Sequence, residues 1–146
     1  MRVVIQRVKE AQVKVAGLGV GQIAKGMLIF LGVARDDNQS CADYLVKKIT
    51  ELRIFEDAQG KMNLSAQEVG AQFLVVSQFT LYGNCDKGRR PSFDEAADPL
   101  KGEELYNYFV AQLKATKATV ETGQFRAMMD VTLINDGPVT LIVDSK

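Results

Sequence analysis

The sequence predicts an α/β domain: a mixed β-sheet or open barrel with two main helices packed on one side. Three observations carry this. The first thirty-odd residues alternate in the β-branched manner of strands, and the last twenty-five are again β-like. Met27–Val33 is a continuous apolar run with the character of a strand covered on both faces, and Phe73–Val76 is a second apolar run of a buried strand. Two stretches with helical spacing lie between strands, the arrangement of an α/β layer.

Taken in order, Val4, Gln6, Val8, Val13 and Val15 give the first strand character, and Ala16-Gly17-Leu18-Gly19 supplies a turn. Val20 to Ala24 should pair back as a hairpin. Gly26 opens the buried run to Val33. Asp36-Asp37-Asn38 offers N-caps for a helix whose apolar residues are Ala42, Leu45, Val46, Ile49 and Leu52. Arg53–Glu56 reads as a short strand stopped by Asp57-Ala58-Gln59-Gly60, and 61–70 as irregular polar chain. The next strand runs from Phe73 to Leu81. Residues 82–98 form a long loop with Gly83, Gly88 and Pro91, and Pro99 follows it. Leu105, Tyr108, Phe109 and Leu113 define a second helix over about 99–117. The tail reads as strands at 119–121, 129–134 and 139–143. No repeat or linker divides the chain, so 1–146 is expected to be one domain.

Composition narrows the function. Eighteen basic residues balance eighteen acidic ones, so a nucleic-acid contact has to come from a local patch. No histidine is present, which removes any Ser-His-Asp or Cys-His unit from the chain. The two cysteines, Cys41 and Cys85, are far apart and form no CxxC pair, and they read as reduced thiols of a cytoplasmic protein. The apolar start Met1–Ile5 is too short for a secretory signal, and no run is long enough to span a bilayer. No metal or cofactor is expected.

Three constellations stand out. Ser77-Gln78-Phe79-Thr80-Leu81 closes an apolar strand with hydroxyls and an amide, groups that are costly to bury without a partner or ligand. Alternation places Ser77 and Phe79 on one face and Gln78 and Thr80 on the other. The plainer reading is a strand end where a loop begins; the sharper one uses backbone N–H groups as oxyanion donors. A Thr80 nucleophile would need a base, and none is adjacent. Asn135-Asp136-Gly137-Pro138-Val139-Thr140 is either a hairpin turn or a special loop with a cis Gly-Pro bond. Lys87-Gly88-Arg89-Arg90 is either a solvated loop or a phosphate grip. Arg7 sits on the first strand, and Phe125 and Met129, four apart, default to core packing.

Together these segments resemble the D-aminoacyl-tRNA deacylase family. Ser77–Leu81 and Asn135–Thr140 match its two signatures, and Ile5-Gln6-Arg7-Val8, Arg53-Ile54-Phe55, Gly60–Leu64, Arg90–Phe93, Leu105–Phe109 and Thr122–Phe125 match its flanks. The resemblance spans nearly the whole chain. It implies a cytoplasmic homodimer that hydrolyses the ester of D-aminoacyl-tRNA, and of glycine mischarged on tRNA, with no cofactor. It further implies a site shared between subunits, with Ser77, Gln78, Phe79 and Thr80 from one and a cis Gly137-Pro138 turn with Val139 and Thr140 from the other. In that picture two main-chain carbonyls hold the substrate ammonium and fill the space of an L side chain. Arg7 fixes the turn, and Phe125 and Met129 line the pocket of the terminal adenosine. Backbone amides near Phe79 and Thr80 hold the ester carbonyl, and the ribose 2′-hydroxyl assists water. Lys87, Arg89 and Arg90 are candidates for tRNA phosphates. Gly102 stands where relatives often have Ala, a matter for glycyl substrates if it borders the pocket. The competing readings are a nucleic-acid-binding module without catalysis and a covalent Thr80 hydrolase.

Overall fold

The computed structural model describes residues 1–145. Its elements follow the order β1 (Arg2–Val15), β2 (Leu18–Ile23), β3 (Gly26–Gly32), α1 (Gln39–Glu51), β4 (Phe55–Glu56), β5 (Met62–Leu64), β6 (Gln72–Ser77), α2 (Pro99–Ala115), β7 (Val120–Thr122) and β8 (Asp130–Asp144). The main sheet runs β2-β1-β3-β6-β7, with β8 on the second edge of β1. The β3–β6 and β6–β7 pairs are parallel and the others antiparallel. This is the mixed, barrel-like sheet that the sequence predicts.

The long β1 organises it. The Arg2–Val8 half pairs with β3, the Ala11–Val15 half with β2, and β8 follows the opposite edge throughout. The β1–β2 hairpin turns on Ala16 (φ 49°) and Gly17 (φ 79°) alone, the backbone of a two-residue hairpin turn. It is tighter than the 16–19 turn expected from sequence. The sheet then curls until β2 meets β7. A Cβ at Gly21 would lie 2.4 Å from the Thr122 carbonyl oxygen, so only glycine permits that approach.

Curling gives the sheet two cores. Odd positions of β3 and β6, such as Met27, Ile29, Phe73 and Val75, pack with Leu45, Ile49, Leu105, Phe109 and Leu113 of the helices. Even positions Leu28, Leu74 and Val76 join Val8, Val13 and Ile23 inside the curl. That explains the unbroken apolar runs: these strands are buried on both sides.

Asn38 caps α1, accepting from the Ser40 and Cys41 amides at 3.0 and 3.4 Å, and Asp98 caps α2 through Leu100 and Lys101 at 3.0 and 3.1 Å. Each cap contributes about 1 kcal/mol. Helix α2 stops at Ala115, two residues early, because Lys117 turns left-handed at φ 67°. Asp37, a cap candidate by sequence, instead turns inward. It pairs with the buried Met1 α-ammonium, which also donates to Ser145 Oγ at 2.6 Å, and it accepts the Ala34 amide at 2.5 Å.

Three further expectations are corrected. The polar 61–70 segment contains β5, which pairs with β4; the Asp57 carboxylate accepts the Gln59 and Lys61 amides and closes that hairpin. The strand expected to reach Leu81 ends at Ser77, and a 3₁₀ turn covers Phe79–Tyr82. The tail from 130 is one strand and not two joined by a hairpin turn. Val8 faces Asn135 and Gln6 faces Thr140, so residues 136–139 loop out of β8 and the strand resumes. The Asn135 side chain closes the neck of this excursion. Its Oδ1 accepts the Val139 amide at 2.9 Å and its Nδ2 donates to the Val139 carbonyl at 3.2 Å.

Candidate active site

A cavity of about 690 Å³ opens where β6 ends. Ser77, Gln78 and Phe79 form one wall, Phe125 and Met129 another, and Gly102 and Tyr106 of α2 its back. The β6 strand is rigid here because its neighbours β3 and β7 are hydrogen-bonded on both edges. The Gln78 amide continues that pairing by donating to the Leu31 carbonyl at 2.8 Å.

The break at Gln78 sets the chemistry of the wall. Phe79 and Thr80 open the 3₁₀ turn, and the first N–H groups of a helical turn have no carbonyl one turn back to bond. The Phe79 and Thr80 amides are therefore left without a helical partner, and Phe79 lines the cavity. The Thr80 hydroxyl accepts a hydrogen bond from Gln78 Nε2. Its residue is exposed and does not line the cavity. The exposed Phe79 ring packs edge-on against Phe93, centroids 5.1 Å apart.

The back wall is built by Tyr106. Its phenol donates to the Val75 carbonyl at 2.8 Å, and burial pushes its pKa up to about 12. Its ring lies 5.8 Å from that of Phe125. Gly102 does border the cavity, and a Cβ there would meet the Phe125 ring at 3.6 Å, an ordinary contact. Phe93, Tyr106 and Arg126 line the cavity without having been singled out as site residues. Phe93 and Tyr106 carried some signal, within motif flanks already noted. Arg126 carried none, since its left-handed φ of 61° is not legible in sequence.

The second constellation lies elsewhere on the chain. The Gly137-Pro138 peptide is cis, and both residues are exposed. Arg7, 4% exposed, holds the excursion from beneath, donating Nε to the Asp136 carbonyl at 2.8 Å and Nη1 to the Ile54 carbonyl at 2.6 Å. None of Arg7, Gly137, Pro138, Val139 and Thr140 lines the cavity of the same chain. The Thr140 hydroxyl accepts from Gln6 Nε2 at 3.1 Å. Lys87, Arg89 and Arg90 are exposed at the tip of a loop whose root is the Asn84–Ser92 bridge, away from the cavity lining.

Residues 4–144 match the family model described as D-Tyr-tRNA(Tyr) deacylase. The chain belongs to the D-aminoacyl-tRNA deacylase family. Relatives of that name are 61% identical in Desulfatibacillum aliphaticivorans, over all of both chains, and 58% identical in Koribacter versatilis, over all of this chain and 98% of that one. The solved structure titled c-Myc DNA Unwinding Element Binding Protein superposes with a TM-score of 0.95 at 38% identity, covering 100% of this chain and 99% of that one. A probable eukaryotic D-amino acid tRNA deacylase shares the fold at TM-score 0.83 and 18% identity, with 98% of each chain covered. Family membership makes the chain a hydrolase, as its resemblance implied, and the mixed sheet with two helices is the family's architecture.

Proposed function

We propose that the chain hydrolyses the ester of D-aminoacyl-tRNA, and of glycine mischarged on tRNA, releasing free tRNA and the amino acid. The observation that carries this is the cavity at the end of β6, a mainly apolar pocket of about 690 Å³ with the start of a 3₁₀ turn, Phe79, in its wall. Phe125 and Met129 receive the terminal adenosine there. The amides of Phe79 and Thr80 hold the ester carbonyl oxygen as negative charge develops on it. Water adds to the carbonyl carbon with help from the ribose 2′-hydroxyl. The ribose ester oxygen then leaves with a proton. No imidazole is needed for this route, and the chain has none.

The protein acts as a homodimer in the cytoplasm on this reading. Each cavity is completed by the Gly137-Pro138 excursion of the partner subunit. Support comes from β8, which among the described residues pairs only with β1 and so leaves a fifteen-residue strand with a free edge. Ile134 and Ile142 are exposed on that strand, at 49% and 67%. Such an edge is a ready template for a second chain. Main-chain carbonyls of Gly137 and Pro138 would bind the substrate ammonium and occupy the place of an L side chain. That exclusion is independent of which side chain the amino acid carries, and it leaves glycine accepted.

Lys87, Arg89 and Arg90, exposed and clustered, would meet acceptor-stem phosphates. A binding module without catalysis would use the same loop, and the zero net charge of the chain gives that alternative no support. The deciding experiment is deacylation of matched D- and L-tyrosyl-tRNA by the purified protein. Rapid loss of the D ester with the L ester intact is expected. Equal rates on both, or none on either, would overturn the proposal.

A further inference from the structure

The cavity is lined mainly by apolar groups and, among the described residues, by one cation, Arg126. Its one carboxylate, Asp98, is engaged in capping α2. Arg126 is exposed, and among the described residues its guanidinium has no ion-pair partner.

The backbone at this residue is unusual. The Ala127 amide donates to the Gln124 carbonyl at 3.2 Å, closing a turn with Phe125 and Arg126 at its centre. Arg126 takes φ 61°, the left-handed conformation for which glycine is favoured at the third place of such a turn. An arginine is thus held where the main chain alone prefers no side chain. The turn separates two neighbours by role. Phe125 packs inward against Tyr106, and Arg126 stays at the exposed rim of the same cavity.

A nucleotide has the same polarity, with an apolar base at one end of the ribose and a charged phosphate at the other. We propose that Arg126 binds the 5′-phosphate of the terminal adenosine, orienting the nucleotide so that its acylated ribose faces the Phe79–Thr80 amides. The inference rests on the deacylase reading of this cavity and adds a residue to it. A planar guanidinium offers paired donors to two phosphate oxygens, and a site on the rim keeps that pair reachable from solvent.

The test uses two readouts. In calorimetric binding, the unaltered protein should hold 5′-AMP about tenfold more tightly than adenosine, the scale of one charge-assisted contact. Arg126→Gln and Arg126→Gly should bind the two equally. In deacylation of D-tyrosyl-tRNA, both variants should raise KM about tenfold with kcat nearly unchanged. The slope of log affinity against log salt should fall by about 0.7, the value for one phosphate of a single strand. Arg126→Lys should recover part of the loss. Arg126→Gly should unfold at the same or a higher urea concentration, which a merely structural residue would not do.

An AMP preference that survives Arg126→Gln, or a KM and salt slope unmoved by it, overturns the proposal while leaving the deacylase reading intact. An unaltered protein that ignores D-tyrosyl-tRNA yet loses its AMP preference in Arg126→Gln refutes the deacylase reading and keeps the phosphate site.

Discussion

Arg7 donates Nε to the Asp136 carbonyl at 2.8 Å, joining the middle of the first strand to a loop that leaves the last one. Its Nη1 reaches the Ile54 carbonyl at 2.6 Å, before the β4–β5 hairpin. The carboxylates of Asp136 and Glu56 lie 3.5 and 3.6 Å away. One buried cation therefore fastens three parts of the chain. Arg7→Met should cost about 2–3 kcal/mol, because it strips donors from buried acceptors. Arg7→Lys should recover only part, since an ammonium cannot reproduce the spread of the guanidinium fork. Urea denaturation measures both, and a loss below about 0.5 kcal/mol for Arg7→Met would show the fork to be dispensable.

Thr80→Ala should retain kcat/KM within about fivefold on D-tyrosyl-tRNA, because the hydroxyl is tied to Gln78 outside the cavity and the amide survives the change. A covalent threonine would instead lose several orders of magnitude, with folding and binding unaffected. Single-turnover deacylation separates the two.

Tyr106 should make folding sensitive to alkali. Burial raises its pKa from 10 to about 12 in the folded chain. The unfolded chain therefore releases this proton first. Its stabilising contribution is complete below pH 10 and is lost as pH rises through that value toward 12. Tyr106→Phe should flatten that decline relative to the unaltered protein in paired urea titrations. At neutral pH its cost should be only about 1 kcal/mol, since the Val75 carbonyl also accepts the Gly123 amide at 3.0 Å. Identical alkaline slopes in the two proteins would refute the assignment.

Gly21→Ala should open the seam between β2 and β7. The new methyl would stand 2.4 Å from a main-chain oxygen and 3.2 Å from Leu74 Cδ1, so strands must part. A destabilisation of about 1–3 kcal/mol is expected. Amide exchange localised to Val20–Ile23 and Val120–Thr122 would identify the seam as its origin, and uniform exchange would argue against it.

Much of this was readable in residues. Periodicity and apolar runs disclosed both helices, the doubly covered strand β3 and the buried strand β6, because those signals are local and strong. The break after Ser77 was not, since Phe79, Thr80 and Leu81 are as suited to a strand as to a 3₁₀ turn. Only tertiary context decided, and it placed Ser77 and Phe79 in the cavity while leaving Thr80 outside. Asn135–Thr140 carried turn chemistry truthfully, but the strand continued beyond it because Asn135 supplies through its side chain the partner that the sheet lacks there. The inward turn of Asp37 escaped notice because its partner is the chain terminus, a charge that no side-chain pattern advertises. The roles proposed for residues at the site come only through the family motifs.

The excursion at 136–139 marks where the last strand changes sides. Leu141 and Val143 after it pack on the helix-side core, and Val131 and Leu133 before it pack inside the curl. Strand β1 makes the same crossing, with Val3 and Ile5 on the helix side and Ala11 and Val13 inside the curl. Val3 faces Val143 and Ala11 faces Leu133, so the two strands cross together and facing residues serve the same core. The looped-out residues thus let one pair of strands build both cores.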